Sequence, residues 1–399
     1  MIYLQHGPSW KPKTDELLNQ NLIQGIIWDP REETIARINK IRKENPKYNS
    51  VTNLIDLKWF YKQFPNSLMK RLNELDYFPD TIIDRNYLRN IDELTDKIRK
   101  MINFQNSTMN VDILIAPTLY MSSFNERIVD RLFDVMDIFY EESKPILKNK
   151  YLSLIIHESA FDNAMYMKDF IDDISNYIGK YDGIYLVIDR DNTSTIRHGF
   201  SESRLAKVLK FIYSLKKMQF KVIMGYCGIE SINYMAMGVD AITTGWFYSL
   251  RRFNRLEKGL EEYSTMGRAK KRYLSLNLLN ELTIDENIQM IPDAQKEDLY
   301  KIILNGNSID KKIITQSYEV IPMNDTFIQY FEVMNSLSKQ FGSINEIETN
   351  IQKLESMLNN AILNTDLYNE QRKGIGSITK RHLTDYSNAL KIFKEENFL

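Results

Sequence analysis

The sequence predicts an α/β protein of the (β/α)8 barrel type with an appended C-terminal helical region. Three observations carry that prediction. Eight short apolar runs alternate with segments of helical spacing along the first 253 residues. The runs are rich in Ile, Val and Leu without strict polar alternation, as strands buried on both faces of a parallel sheet are. Residues 220–253 read as strand, short helix, strand, with Gly225 closing the first run and Thr244-Gly245-Trp246 ending the second. That is the pattern of the last two strands of a barrel.

In order, the expected strands are residues 2–6, 23–29, 51–57, 111–117, 152–158, 184–189, 220–224 and 241–244. Between them lie helical patterns such as residues 128–139, and eight β-α repeats in succession is the number that closes a sheet on itself. Residues 78–84 also look strand-like, and are assigned to an insertion between the third and fourth strands. A barrel takes roughly 250 residues, so a barrel over 1–253 and a helical accessory region over 254–399 are expected to share the 399 residues. In the second part, residues 255–275 are charged and read as helical. Further on, Ser343 and Glu346 have the spacing of a capping box ahead of Ile347, Ile351, Leu354, Leu358 and Ile362.

Composition fits a folded chain, with 43% hydrophobic and 26% charged residues. Lys plus Arg (52) nearly balances Asp plus Glu (53), so no global field points to a polyanionic partner, although local patches remain able to bind one. A single cysteine, Cys227, excludes an intramolecular disulfide and a cysteine-based metal cluster. The sequence shows no secretory signal pattern and no long apolar run, so a cytoplasmic protein without membrane attachment is expected. A homo-oligomer is left open.

Barrel chemistry gathers at the C-terminal ends of the strands, so a polar residue closing an apolar run is informative. The ends give His6, Asp29 with Arg31, Asp56 with Trp59, the corner leading to Tyr120, His157 with Glu158, Asp189 with Arg190 and Asp191, Tyr226 with Cys227, and Thr244 with Trp246. Some of these carboxylates would serve only as helix caps or as partners of Arg31 and Arg190. Crowded together, however, like charges shift one another's pKa, which is how a protonated acid and an ionised base arise from one residue type. Asp29, Glu158, Asp189 and Asp191 are therefore the catalytic candidates, and His6, Asp56, Tyr120, His157 and Tyr226 candidate substrate contacts. No paired-histidine metal motif accompanies His6, His157 or His198, and neither a metal nor an organic cofactor is expected. Gly228 and Gly245 would let a phosphate approach the backbone, although a tight turn alone explains a glycine. Beyond the barrel, Arg251, Arg252, Lys270, Lys271 and Arg272, with aromatic residues interleaved, suit a nucleic-acid backbone as well as a solvated helix face.

The segment Met224-Gly-Tyr-Cys-Gly, Met237-Gly-Val-Asp-Ala-Ile and Arg251-Arg252 resembles the tRNA-guanine transglycosylase superfamily over about thirty residues. The resemblance implies a barrel enzyme that breaks a base–sugar bond in tRNA or, among relatives, in DNA, by base exchange or by base excision in antiviral defence. Where the family carries an aspartate nucleophile just after its last strand, this chain has Thr243-Thr244-Gly245-Trp246, and the family's zinc site is absent. The resemblance then implies attack by a carboxylate on another strand, with Asp29, Asp189 and Asp191 leading, and a flipped base stacked on Trp246, Tyr226 or Tyr120. A DNA or tRNA glycosylase or transglycosylase-like enzyme is the expectation. A barrel enzyme acting on a free nucleotide or sugar phosphate, a metal-dependent hydrolase and a non-catalytic nucleic-acid-binding protein are the alternatives.

Overall fold

Apolar runs of strand length, largely buried on both sides, form the staves of a barrel. The computed structural model describes residues 1–8, 11–64, 69–190, 199–255, 270–372 and 376–397. The strands are β1 (Ile2–Gln5), β2 (Gly25–Trp28), β3 (Thr52–Ile55), β4 (Ile113–Ile115), β5 (Tyr120–Met121), β6 (Asn149–His157), β7 (Gly183–Asp189), β8 (Lys221–Gly225) and β9 (Ala241–Thr244). Eight of them run parallel in the order β3-β2-β1-β9-β8-β7-β6-β4 and nearly close a barrel. At the seam the Asp112 amide donates to the Asn53 carbonyl at 2.9 Å, and the Asp112 carboxylate accepts from the Asn53 amide at 2.7 Å. The fourth stave is broken: β4 pairs with the start of β6 and β5 with its end, on either side of Pro117, which has no N–H to give a ladder.

The strand expectations hold at all eight positions, and residues 78–84 form no strand but lie in the insertion between β3 and β4, where Phe78 and Ile83 are buried. Among the described residues seven helices alternate with the staves: α1 (Lys11–Asn19), α2 (Ile35–Glu44), α3 (Ile91–Asn103), α4 (Val129–Ser143), α5 (Ala164–Ser175), α6 (Glu202–Lys217) and α7 (Ser231–Ala236). Local chemistry fixes their starts, as where the Asn163 side chain accepts from the Met165 and Tyr166 amides at the head of α5.

Among the described residues past the barrel come a hairpin, β10 (Arg272–Ser275) with β11 (Asn280–Thr283), and five helices, α8 (Asp293–Ile303), α9 (Asp310–Thr315), α10 (Met323–Ser338), α11 (Ile347–Arg372) and α12 (Arg381–Asn397). The strand at 272–275 corrects the helical reading there; residues 256–269 lie outside the described residues. Tertiary context decides it, since the Leu274 amide donates to the buried Gln329 side chain and Leu279 turns the chain at a φ of 44°. The Ser343–Glu346 capping box is also not made, because the Ser343 side chain caps no amide. The Glu346 carboxylate instead lies back against Gly342. Helices α10 to α12 share the barrel's hydrophobic core through Phe331, Leu354, Leu358 and Phe393, while the hairpin, α8 and α9 surround a second core with Tyr273, Leu299 and Tyr368. Among the described residues no helix is long and apolar enough to cross a membrane.

The two parts meet tightly at Gly238, which ends α7 at a φ of +74° and would place an added Cβ 2.5 Å from the Ile344 nitrogen. Gly238→Ala is expected to destabilise the protein by about 1–3 kcal/mol through left-handed strain alone, with the clash added. An unchanged urea unfolding midpoint would refute this.

Candidate active site

The C-terminal ends of the staves bring together two buried polar groups. The first is organised by Lys58, two residues after Asp56. Its backbone takes a left-handed turn, φ 54° and ψ 19°, at the end of β3. The ammonium is fully buried, 2.5 Å from Asp56 Oδ2 and 3.4 Å from Asp29 Oδ2, and it donates to the Tyr226 hydroxyl at 2.5 Å. Tyr226 also has positive φ (54°), and its amide donates to Thr243 Oγ1 at 2.9 Å. Two non-glycine residues in this sparsely occupied region at one site is a strain that surrounding contacts must hold. The Tyr61 ring lies 5.6 Å from the Lys58 ammonium and 5.4 Å from the Arg31 guanidinium, and the Arg31 amide donates to Asp29 Oδ1 at 2.9 Å.

Charge states follow from these neighbours. Burial works against the Asp29 charge, but Lys58 and Arg31 outweigh it and hold its pKa below the usual carboxylate range. Burial likewise opposes the Lys58 charge, and Asp29 and Asp56 overcome it, so the ammonium keeps its proton well above the ordinary lysine range. Lys58 is thus a fixed cation and no amine nucleophile near neutral pH. Burial pushes His6 down to about 4, leaving it neutral, and its Nδ1 accepts the Asp29 amide at 3.4 Å.

The second group is centred on Asp189, the last residue of β7. Tyr120 donates its hydroxyl to Asp189 Oδ2 at 2.7 Å, and the Arg255 amide donates to Oδ1 at 3.0 Å. The Arg255 guanidinium is 3.8 Å from the carboxylate and lies 5.5 Å over the Tyr120 ring. Burial raises the Asp189 pKa to about 6 against the pull of Tyr120, His157 and Arg255. His157 stands beside it in register on β6, its Nδ1 2.6 Å from Ser159 Oγ.

The chain after β9 roofs this end of the barrel. Phe253 forms a parallel bridge with Asp189 and accepts the Arg190 amide at 3.0 Å, while its ring packs 5.3 Å from Tyr226 and 6.0 Å from Phe60. Asp29 is 2% exposed, Asp56 5%, Asp189 1%, Tyr120 6% and Tyr226 4%, so the site is shut in this conformation.

Other expected contacts take different places. Glu158 pairs with Arg190 at 2.9 Å and with Arg204 at 3.5 Å, a wall outside both groups. Gly245 and Gly228 are small for the protein's own sake, since an added Cβ would meet the Leu250 side chain at 2.4 Å and Glu230 Oε2 at 2.7 Å. Trp246 is buried and donates from Nε1 to the Pro8 carbonyl at 3.2 Å. Arg251 donates to the Gly245 carbonyl at 2.7 Å, pairs with Glu281 at 3.0 Å and stacks 3.3 Å over Tyr330. Arg252 is buried beside Glu230. Lys270 pairs with Glu286 at 2.8 Å, Lys271 donates to the Tyr318 and Glu319 carbonyls at 2.5 and 3.1 Å, and Arg272 opens β10 opposite Thr283. Asp191 and His198 lie outside the described residues. Lys58 and Tyr61 were not anticipated, although a lysine inside the apolar run of residues 54–61 was a usable signal for the first, and Phe253 and Arg255, expected only within the basic aromatic stretch after the barrel, lie against Asp189 instead.

Among the described residues no group of three His, Cys, Asp or Glu side chains is placed to hold a metal ion. The arrangement offers an ionised carboxylate braced by a fixed cation, and a second carboxylate that titrates near neutrality. Comparison of the chain with protein-family models and with curated proteins finds no match in either.

Proposed function

We propose that the barrel mouth cleaves or exchanges an N-glycosidic bond of a nucleic acid, with Asp29 as nucleophile or base and Asp189 as acid. One observation carries this reading: two carboxylates at one barrel mouth are pushed in opposite directions, Asp29 down and Asp189 up to about 6. Departure of a base from a sugar requires both, negative charge facing the developing oxocarbenium ion and a proton for the leaving nitrogen. Lys58 keeps Asp29 charged inside an apolar barrel, and Tyr226 and Tyr61 offer rings to a base flipped out of its stack. The choice of a base–sugar bond draws on the sequence resemblance around residues 224–252. Entry of a substrate requires the roof at residues 253–255 to lift.

A free nucleotide is the second reading, favoured by Lys270 and Lys271 being engaged by Glu286, Tyr318 and Glu319 of the same chain. Incubation of the protein with tRNA, with unmodified and modified DNA and with free nucleotides, followed by measurement of released base and abasic sites, separates the two. Release from none of them would sink the glycosidic reading. Within it, Tyr120→Phe removes a donor that favours the ionised Asp189, so the carboxyl holds its proton to higher pH. The alkaline limb of the rate profile is expected to move upward from about 6, and an unmoved limb would remove Asp189 from the acid role.

A further inference from the structure

Asp56 pairs with Lys58 without fixing where the ammonium points across the barrel. It stands two residues away on the same turn and accepts the Lys58 amide at 3.3 Å as well as the ammonium at 2.5 Å, so the two move together. The tie to the far wall is the Tyr226 hydroxyl, from the turn after β8. Tyr226 must be kept there against its own backbone, since a φ of 54° is a costly conformation for a residue with a side chain. Two bonds to one residue of β9 hold that turn: the Tyr226 amide donates to Thr243 Oγ1 at 2.9 Å, and the Cys227 amide to the Thr243 carbonyl at 2.7 Å. The Thr243 hydroxyl accepts the one amide and gives its own proton to Gln5 Oε1, 3.1 Å away on the neighbouring strand β1. The Tyr185 hydroxyl of β7 donates to the same oxygen at 3.4 Å. Gln5 and Thr243 are fully buried, and the bonds run in one direction, from the Tyr226 amide through Thr243 to Gln5, each fixing the rotor of the next. Gln5 holds its place at a cost, because its Nε2 is buried without a partner among the described residues, which an apolar side chain of similar length would avoid. What the position gains is the acceptor oxygen.

We propose that Thr243 and Gln5 are positioning residues for the mouth, which hold Tyr226 in its left-handed turn and, through its hydroxyl, hold the Lys58 ammonium against Asp29. The proposal deepens the glycosidic reading and rests on it for the role of Asp29, but the geometry it asserts is measurable without a substrate. Asp29 is faced by Lys58 and Asp56 from the turn after β3, by Tyr61 beyond them, by Arg31 from its own turn, by His6 from the end of β1 and by Tyr226. Substitutions at Thr243 and Gln5 leave all six in the chain and change only how firmly Tyr226 is placed.

The test titrates the Asp29 carboxyl directly, by NMR of the full-length protein carrying carbon-labelled aspartate, with its resonance assigned by its loss in Asp29→Asn. Thr243→Val keeps the shape and removes the hydroxyl. The Asp29 titration is then expected to move upward toward the ordinary carboxylate range, because its counter-charge is held less firmly. Thr243→Ser, which keeps the hydroxyl, should restore the native curve. Gln5→Met, which leaves the Tyr226 amide its acceptor, should give a smaller upward move with resistance to urea retained. On any tRNA or DNA from which the native protein releases base, Thr243→Val should lower kcat by about tenfold or more with KM little changed, as misplacement of a reacting group does. An Asp29 titration unmoved in Thr243→Val, or displaced as far in Thr243→Ser, overturns the proposal. So does a Gln5→Met protein that loses stability while its Asp29 curve stays native, which is the mark of packing alone. Absence of base release from every nucleic acid sinks the glycosidic reading and leaves the carboxyl titration to decide this one.

Discussion

Lys58→Met is expected to lower stability by about 3–5 kcal/mol, the usual consequence of removing one partner from a buried ionic group. The ammonium is fully buried and serves Asp29, Asp56 and Tyr226 at once, so methionine leaves two carboxylates inside the barrel without their main counter-charge. The pH dependence supplies a second check. In the native protein the Asp29 pKa is depressed, so its contribution is present above the unfolded carboxylate value and is lost as pH falls through the lower folded value. Without Lys58 the burial that opposes the charge is left less opposed, the Asp29 pKa rises, and the variant should recover stability relative to the native protein as pH is lowered from neutrality. Adding Asp56→Asn should restore part of the loss by removing one stranded charge. Urea unfolding at several pH values measures all of this, and a Lys58→Met protein as stable as the native one at neutral pH would refute it.

Asp189→Asn should have the opposite signature. If Asp189 donates the proton, base release falls by about 10²- to 10⁴-fold. Stability moves the other way. The folded pKa, about 6, lies above the unfolded value of about 3.9. The stabilisation that comes from the bound proton is therefore complete below the unfolded value and lost as pH rises through about 6. Asparagine stays neutral throughout, and the Tyr120 hydroxyl is able to turn and accept from its amide. The variant should thus gain stability relative to the native protein between about pH 4 and 7 while losing activity. A catalytic carboxylate predicts that divergence; a purely structural one predicts that both fall together.

The framework was legible because strands buried on both faces must be continuous and apolar, which makes any polar residue at their ends conspicuous. His6, Asp29, Asp56, His157, Asp189 and Tyr226 were found in that way, and the structure sets all of them at the mouth. What escaped was whatever depends on a backbone turn or on distant partners. Lys58 takes a positive φ, which apolar spacing does not record, although a lysine within the apolar run of residues 54–61 marked the position. The cluster of cations after the barrel looked uniform in sequence, yet Arg251 is buried against Tyr330 and Glu281 while Lys270 pairs on the surface with Glu286. The 272–275 strand was hidden for a related reason, since the side chain of Gln329, more than fifty residues later, is what receives its Leu274 amide.

The crossing of residues 253–255 over the mouth makes access to the barrel a matter of chain connectivity as well as of side-chain motion. Its last residue holds Asp189 through a backbone amide, so no substitution of the Arg255 side chain deletes that bond. Two residues before the crossing begins, Arg251 is anchored to β11 and α10. A movement that frees Asp189 must therefore either bend the chain between Arg251 and Arg255 or disturb the hairpin and α10 as well. Amide exchange at Arg190, whose hydrogen goes to the Phe253 carbonyl, and at Arg255, whose hydrogen goes to Asp189, tells these apart: exchange in step with the β10–β11 amides marks a coupled opening, and faster exchange marks a local hinge.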